Sequence, residues 1–161
     1  MTDTIVMTDA IVVAADHPSL DDQVGTFVAT LREEPRYFGP AARRNPKPFP
    51  SLLAELQQHG GFRLASMEHG RITGLVRVDE LGVVHIAVAA EHRGHGTGSL
   101  LLQAAISRAA QLCFGRLVLH ATHRSRAVRR LGDRLGCTTV DLGRGRLDLI
   151  LPVPTPAALP A

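Results

Sequence analysis

No part of this 161-residue chain limits its fold more than residues 82–113. Residues 82–90, "GVVHIAVAA", are almost wholly apolar and rich in β-branched side chains, the pattern of a strand covered on both faces. Residues 99–113, "SLLLQAAISRAAQLC", are apolar nearly all round, which predicts a well-buried helix. Between them stands "HRGHGTGS", with glycines at 94, 96 and 98 and no acidic residue. A helix start offers unpaired backbone N–H groups and partial positive charge. Glycines let an anion approach that backbone and leave positive φ open. A buried strand, a glycine turn and a buried helix therefore predict an α/β domain with an anion-binding loop at a helix N-terminus.

The flanking sequence fits that frame. "AIVVAA" (10–15) reads as a short strand. In "SLDDQVGTFVATLRE" (19–33), Leu20, Val24, Phe27, Val28 and Leu31 share a helical face, and Ser19 stands where a cap is expected. Residues 34–50 hold five prolines and read as a loop. A short helix follows over 51–60, ending at Gly60-Gly61. "FRLASMEHG" and "RITGLVRVDE" predict a hairpin turning at His69-Gly70. Later come a strand over 116–122, a helix over 125–136, and two strands, "CTTVDLG" and "RLDLILP", split by Gly143-Arg144-Gly145. The order β-α-α-β-β-β-α-β-α-β-β describes one domain over 1–151 with a mixed sheet. Residues 152–161 form a proline-rich tail, extended or disordered.

Charge narrows the partners. From His92 to Gly132 there is no Asp or Glu, whereas Arg93, Arg108, Arg116, Arg124, Arg126, Arg129 and Arg130 all lie there. Such one-sidedness suits a polyanion: nucleic acid, an acidic membrane surface or a phosphorylated ligand; a solvated basic face is the alternative. No apolar run approaches the ~18 residues of a membrane span. The N-terminus has acids and no basic leader segment, and Cys113 and Cys137 form no ligand-like pair, so a cytoplasmic domain is expected. The loop contains no Lys, which excludes a P-loop, and its G-x-G-x-G spacing departs from the dinucleotide fingerprint.

Arg93-Gly94-His95-Gly96-Thr97-Gly98, an Arg-x-x-Gly-x-Gly after an apolar strand and before an apolar helix, resembles the acyl-CoA loop of the GNAT N-acetyltransferase superfamily. The resemblance runs from about Leu64 to Leu151. It implies the GNAT fold: a mixed, twisted sheet of six to seven strands, helices on both faces, and a splay between strands 83–89 and 116–122. It further implies acetyl-CoA as co-substrate. Its pyrophosphate would meet the backbone of Arg93, Gly94, His95, Gly96, Thr97, Gly98 and Ser99, and its pantetheine arm the strand end around Val88 and Ala90. Ser125 stands where members carry an Asn and would touch the pantetheine or its water. Gly132 stands where members carry a Tyr that protonates the leaving thiolate, and Cys137 where they carry a Phe. Water then replaces the Tyr, and the N–H of Val88 polarises the thioester carbonyl.

For the base, members often place a Glu early on the fourth strand, a position that falls here near Gly82 or Val83. Two neighbours have suitable chemistry. His85 lies two residues beyond Val83, hence on the same strand face, and imidazole titrates near neutrality; a sheet-bonded structural His is the alternative. Glu80 precedes the strand, in what otherwise reads as a polar turn. The expected acceptor is a primary amine, on a small molecule or a protein lysine. Arg36, Tyr37 and Phe38 faintly resemble a segment of bacterial protein-lysine acetyltransferases, or else pack their loop onto the core. The rival reading is a non-catalytic acyl-CoA sensor or partner subunit, in view of Gly132 and the absent Glu. His92-x-x-His95 and His120-x-x-His123 have ligand-like spacing but no third ligand, so no metal is expected. The arginine-rich helix 125–136 lacks a helix-turn-helix context, so no nucleic-acid partner is expected either. A homodimer stays open.

Overall fold

The computed structural model describes residues 6–7, 10–33, 48–122 and 126–155. The strands are β1 (Val6–Met7), β2 (Ala10–Ala14), β3 (Phe62–Glu68), β4 (Arg71–Val78), β5 (Val84–Val88), β6 (Arg116–Thr122), β7 (Thr138–Gly143) and β8 (Arg146–Pro152). The helices are α1 (Asp21–Arg32), α2 (Pro48–Gln57), α3 (Thr97–Gln111) and α4 (Arg126–Leu135). β1 to β5 form one antiparallel sheet in chain order, and β6-β8-β7 a second. The two meet at a parallel bridge between Val83 and Val118, where Val118 N–H donates to the Gly82 carbonyl at 2.9 Å. Beyond it the strands diverge, as the predicted splay requires.

Gly82 is what lets them meet. Its φ is +84°, and a Cβ there would stand 2.7 Å from the Arg116 carbonyl oxygen. Any other residue would push β6 off β5 and open the closed end of the splay.

Strand alternation divides the core. Val76, Val78 and Val84 face α3 and pack with Leu100, Leu101, Leu117 and Leu149. Leu75 and Ala87 face the other way, onto Leu31 of α1 and Leu53 and Leu56 of α2. Each such leucine, fully buried, contributes roughly 1.5–3 kcal/mol. With few aromatics to use, the chain makes one edge-to-face ring pair among its described residues, Phe62 on Phe114 at 5.8 Å.

Several boundaries differ from the sequence pattern. α2 begins at Pro48, inside the predicted loop, because a helix's first-turn N–H groups need no partner and prolines are tolerated there. α3 begins at Thr97 rather than Ser99, with Gly96 as its cap. Ser19 is not the cap of α1; it lies in a 3-10 turn over Pro18–Leu20, where its N–H donates to His17 Nδ1 at 3.1 Å. The two-residue β1 is too short to leave a pattern.

Candidate active site

The glycine loop lies at the open end of the splay. After β5 the chain makes a 3-10 turn over Ala90–His92, and Gly94 and Gly96 then take φ of +77° and +85°. This left-handed pair turns the backbone directly into α3. No side chain caps α3, so the N–H groups of its first turn have no partner within the helix. Arg93 braces this turn, since its Nε donates to the Val88 carbonyl at 2.9 Å and so ties the loop to the end of β5.

Ala89 N–H donates to the Thr73 carbonyl of β4, which fixes the direction of every backbone group along β5. Backbone groups alternate along a strand, so those of Ile86 and Val88 point to the opposite edge, where β6 has diverged. That edge, the loop and α4 enclose a cleft of about 410 Å³. It is lined by Ile86 and Val88 of β5, by Gly94 and Gly96 to Ser99 at the helix start, and by Val128, Arg130, Leu131 and Arg134 of α4. A Cβ on Gly98 would meet Val88 at 3.9 Å and Leu131 at 4.0 Å, so it would sit inside the cleft without a clash.

The other face of β5 carries a charged cluster. His85 projects between Glu55 of α2 and Asp79 at the end of β4, with Nε2 3.6 Å from a carboxylate oxygen of each. Arg77, 5% exposed, pairs with Glu55 at 2.6 Å and donates to the Gly60 carbonyl at 3.0 Å. Asp79 Oδ1 accepts the N–H groups of Leu81 and Val83, each at 2.9 Å, so its other oxygen is held toward His85. Among the described residues, His85 Nε2 is the one buried side-chain polar atom with no hydrogen-bond partner. The three side chains bring their ligand-type atoms within 4.8 Å of one another, but the Arg77 guanidinium already supplies a cation to Glu55.

Residues 25–136 match the family model described as the acetyltransferase (GNAT) family. The chain belongs to the GNAT acetyltransferase family. Solved structures agree on the fold. The GNAT domain of Streptomyces lividans PAT superposes with a TM-score of 0.71 at 18% identity, covering 94% of this chain and 96% of that one. The ribosomal-protein-S5-alanine acetyltransferase of Vibrio fischeri gives 0.66 at 13% identity, covering 98% and 99%. Salmonella typhimurium yncA, solved with acetyl-CoA, gives 0.59 at 20% identity, covering 96% and 99%. No curated protein matches the sequence.

Acetyl-CoA is the acyl donor of the GNAT family, and this acyltransferase has a cleft that suits it. The exposed edge of β5 offers strand-like pairing for amides, and the start of α3 offers N–H donors for phosphate. Of the residues expected to hold the donor, Val88, Arg93, Gly94, Gly96, Thr97, Gly98 and Ser99 all line the cleft; Ala90 and His95 do not. Ser125, Arg36, Tyr37 and Phe38 lie outside the described residues. Glu80 is exposed on the turn after β4, its carboxylate beside Gly60. Of the spaced histidines, His92 approaches Glu68 at 3.4 Å and His120 pairs with Asp148 at 2.6 Å.

Gly132 gains a reason. A Cβ there would stand 3.1 and 3.3 Å from the Leu149 methyls, so Leu149 fills the space beside this turn of α4. Below it, Cys137 packs against the core, and burial followed by the Asp133 carboxylate pushes its thiol pKa up. Glu55, Arg77, Asp79, Arg130 and Arg134 were not singled out from the sequence as site residues. Only the i,i+4 spacing of the last two on a basic helix was a signal available there.

Proposed function

We propose that the protein acetylates a primary amine, on a small molecule or a protein lysine, by direct attack on acetyl-CoA in a ternary complex. His85 is the general base in this reading. The observation that carries it is the setting of the ring. Its Nε2 side is buried between two carboxylates, while the side chain as a whole stays 18% exposed. A neutral imidazole that carries its hydrogen on Nε2 presents the Nδ1 lone pair as the acceptor. At 3.6 Å the carboxylate oxygens stand beyond hydrogen-bond distance of the ring.

Acetyl-CoA supplies an acetyl group on a thioester, with a thiol as leaving group. The amine nitrogen bonds to the carbonyl carbon, the C–S bond breaks, and the proton lost from nitrogen passes to His85. The N–H of Val88, on the exposed strand edge, donates to the carbonyl oxygen as charge builds there. Leu149 packs where the family's Tyr would stand, so the thiolate takes its proton from water, as a simple thiol of pKa about 8.5 readily does.

Free-thiol release, measured with an amine panel and a lysine peptide library, names the acceptor and tests the base. His85→Ala should lower kcat by about 10²–10⁴ while calorimetric affinity for acetyl-CoA stays unchanged. Glu80→Gln, on the exposed turn after β4, should leave turnover intact. Full turnover in His85→Ala would remove His85 as the base. Tight acetyl-CoA binding without thiol release on any acceptor would favour the sensor reading.

A further inference from the structure

We infer that His120, with Asp148 behind it, is a second catalytic base, the group that takes the first proton from the incoming ammonium ion. This inference rests on the reading that the protein acetylates a primary amine. Such an amine is an ammonium ion at neutral pH, since a lysine side chain titrates near about 10.4. It must shed one proton before its nitrogen has a lone pair, and a second as the amide forms. His85 takes the second. The first needs another acceptor.

The parallel bridge pairs Val83 with Val118, so these two side chains share a sheet face, as do the residues two further along each strand. His85 and His120 therefore hold matching positions on one face, one on each side of the opening splay. Burial agrees: Leu117 and Leu119 pack in the core with Leu100 and Leu101 of α3, which turns Val118 and His120 to the face where His85 meets α2. Asp148 lies directly opposite His120 on β8, and its Oδ1 is 2.6 Å from Nδ1. A carboxylate only accepts, so Nδ1–H donates to it and the neutral ring keeps its lone pair on Nε2. Register sets three titratable or charged groups beside the ring on this face: Asp148 and Arg146 of β8, and His85 with its own partners Glu55 and Asp79.

Exposure separates the two imidazoles. His120 is 61% exposed and His85 18%, so His120 is the one open to exchange with water at each turnover. An N–H bond of the ammonium breaks, its electron pair stays on nitrogen, and the proton joins Nε2 of His120. Asp148 stabilises the imidazolium, which then releases the proton to water. The neutral amine attacks the thioester and yields its next proton to His85.

Thiol release followed against pH tests the assignment, with whichever alkylamine or lysine peptide the parent acetylates fastest, on the parent, His120→Gln and Asp148→Asn. The parent's kcat/KM should level off by about pH 8, because an imidazole takes the ammonium proton. In His120→Gln it should be about a hundredfold lower at about pH 7. It should then keep rising, about tenfold per pH unit, toward the amine's own pKa, where the gap closes. Asp148→Asn still accepts from Nδ1 but lacks the charge, so its profile should fall between the two. Calorimetric affinity for acetyl-CoA and thermal melting of His120→Gln should match the parent's, because the ring is exposed. A His120→Gln profile parallel to the parent's, equal to it or uniformly lowered, overturns the assignment, because a structural role acts alike at every pH. A parent that acetylates no amine overturns the acetyltransferase reading and this inference with it.

Discussion

Gly98→Asp separates the stability of the fold from the use of the cleft, because it moves them in opposite directions. Gly98 is the second residue of α3 and has an ordinary helical φ. A Cβ there meets Val88 and Leu131 at normal contact distance, so a side chain is accommodated without strain. An acidic residue in the first turn of a helix is favourable by about 0.3–1 kcal/mol, and replacing glycine by aspartate adds about 0.3 kcal/mol of helix propensity. The unliganded variant should therefore melt about 1–4 °C higher than the parent. Binding should suffer, because the carboxylate sits where the phosphate is expected. A unit charge ~5 Å from one phosphate charge, at an effective dielectric of ~20, costs about 3 kcal/mol, or roughly a hundredfold in affinity. Gly98→Ala adds only a methyl and should bind within about tenfold of the parent. Calorimetric titration with acetyl-CoA alongside scanning calorimetry of the free protein reads both effects. If Gly98→Asp binds acetyl-CoA within threefold of the parent, the phosphate does not lie at the start of α3.

Two further outcomes follow from buried chemistry. Arg63, 2% exposed, donates to the Ala15 carbonyl at 2.8 Å, the Leu56 carbonyl at 3.2 Å and Asp21 at 3.0 Å; Arg63→Met should cost about 2–4 kcal/mol in urea unfolding, because it strands two carbonyls. Cys137 has a raised pKa, first from burial and then from Asp133, so the folded state holds its proton more tightly than the unfolded state does. Its contribution to stability is therefore complete below the ordinary thiol range and is lost as pH rises toward the folded-state pKa. Cys137→Ser should flatten that alkaline decline, and alkylation followed by mass spectrometry should label exposed Cys113 before Cys137.

Elements with a local cause were legible in the chain. Alternating or continuous apolar runs marked β3 to β6, and the stripe of Val24, Phe27, Val28 and Leu31 marked α1. The glycine spacing marked the loop, because Gly94 and Gly96 both take left-handed backbone, which glycine adopts without steric cost. Element ends were less legible. Pro48 and Pro50 read as loop residues because proline disfavours a helix interior, and it took the packing of Leu53 and Leu56 to place them in a first turn. Buried charge was not legible at all. Nothing local distinguishes Arg63 and Arg77, held inside by partners from other elements, from the exposed arginines of α4.

The site divides in the same way. The sequence by itself determined the glycine loop proposed to bind phosphate, since strand, loop and helix start are contiguous and their chemistry belongs to the backbone. It also pointed to His85, through the strand face that residue shares with Val83. Only the tertiary structure decided what surrounds that imidazole: Glu55 arrives from α2 and Asp79 from the end of β4, and no spacing along the chain encodes their approach. It likewise decided that Leu149 of β8 packs at Gly132, and that Arg130 and Arg134 line the same cleft as the loop. Backbone chemistry follows from neighbours in sequence, whereas the environment of a side chain is set by whichever elements the core brings against it.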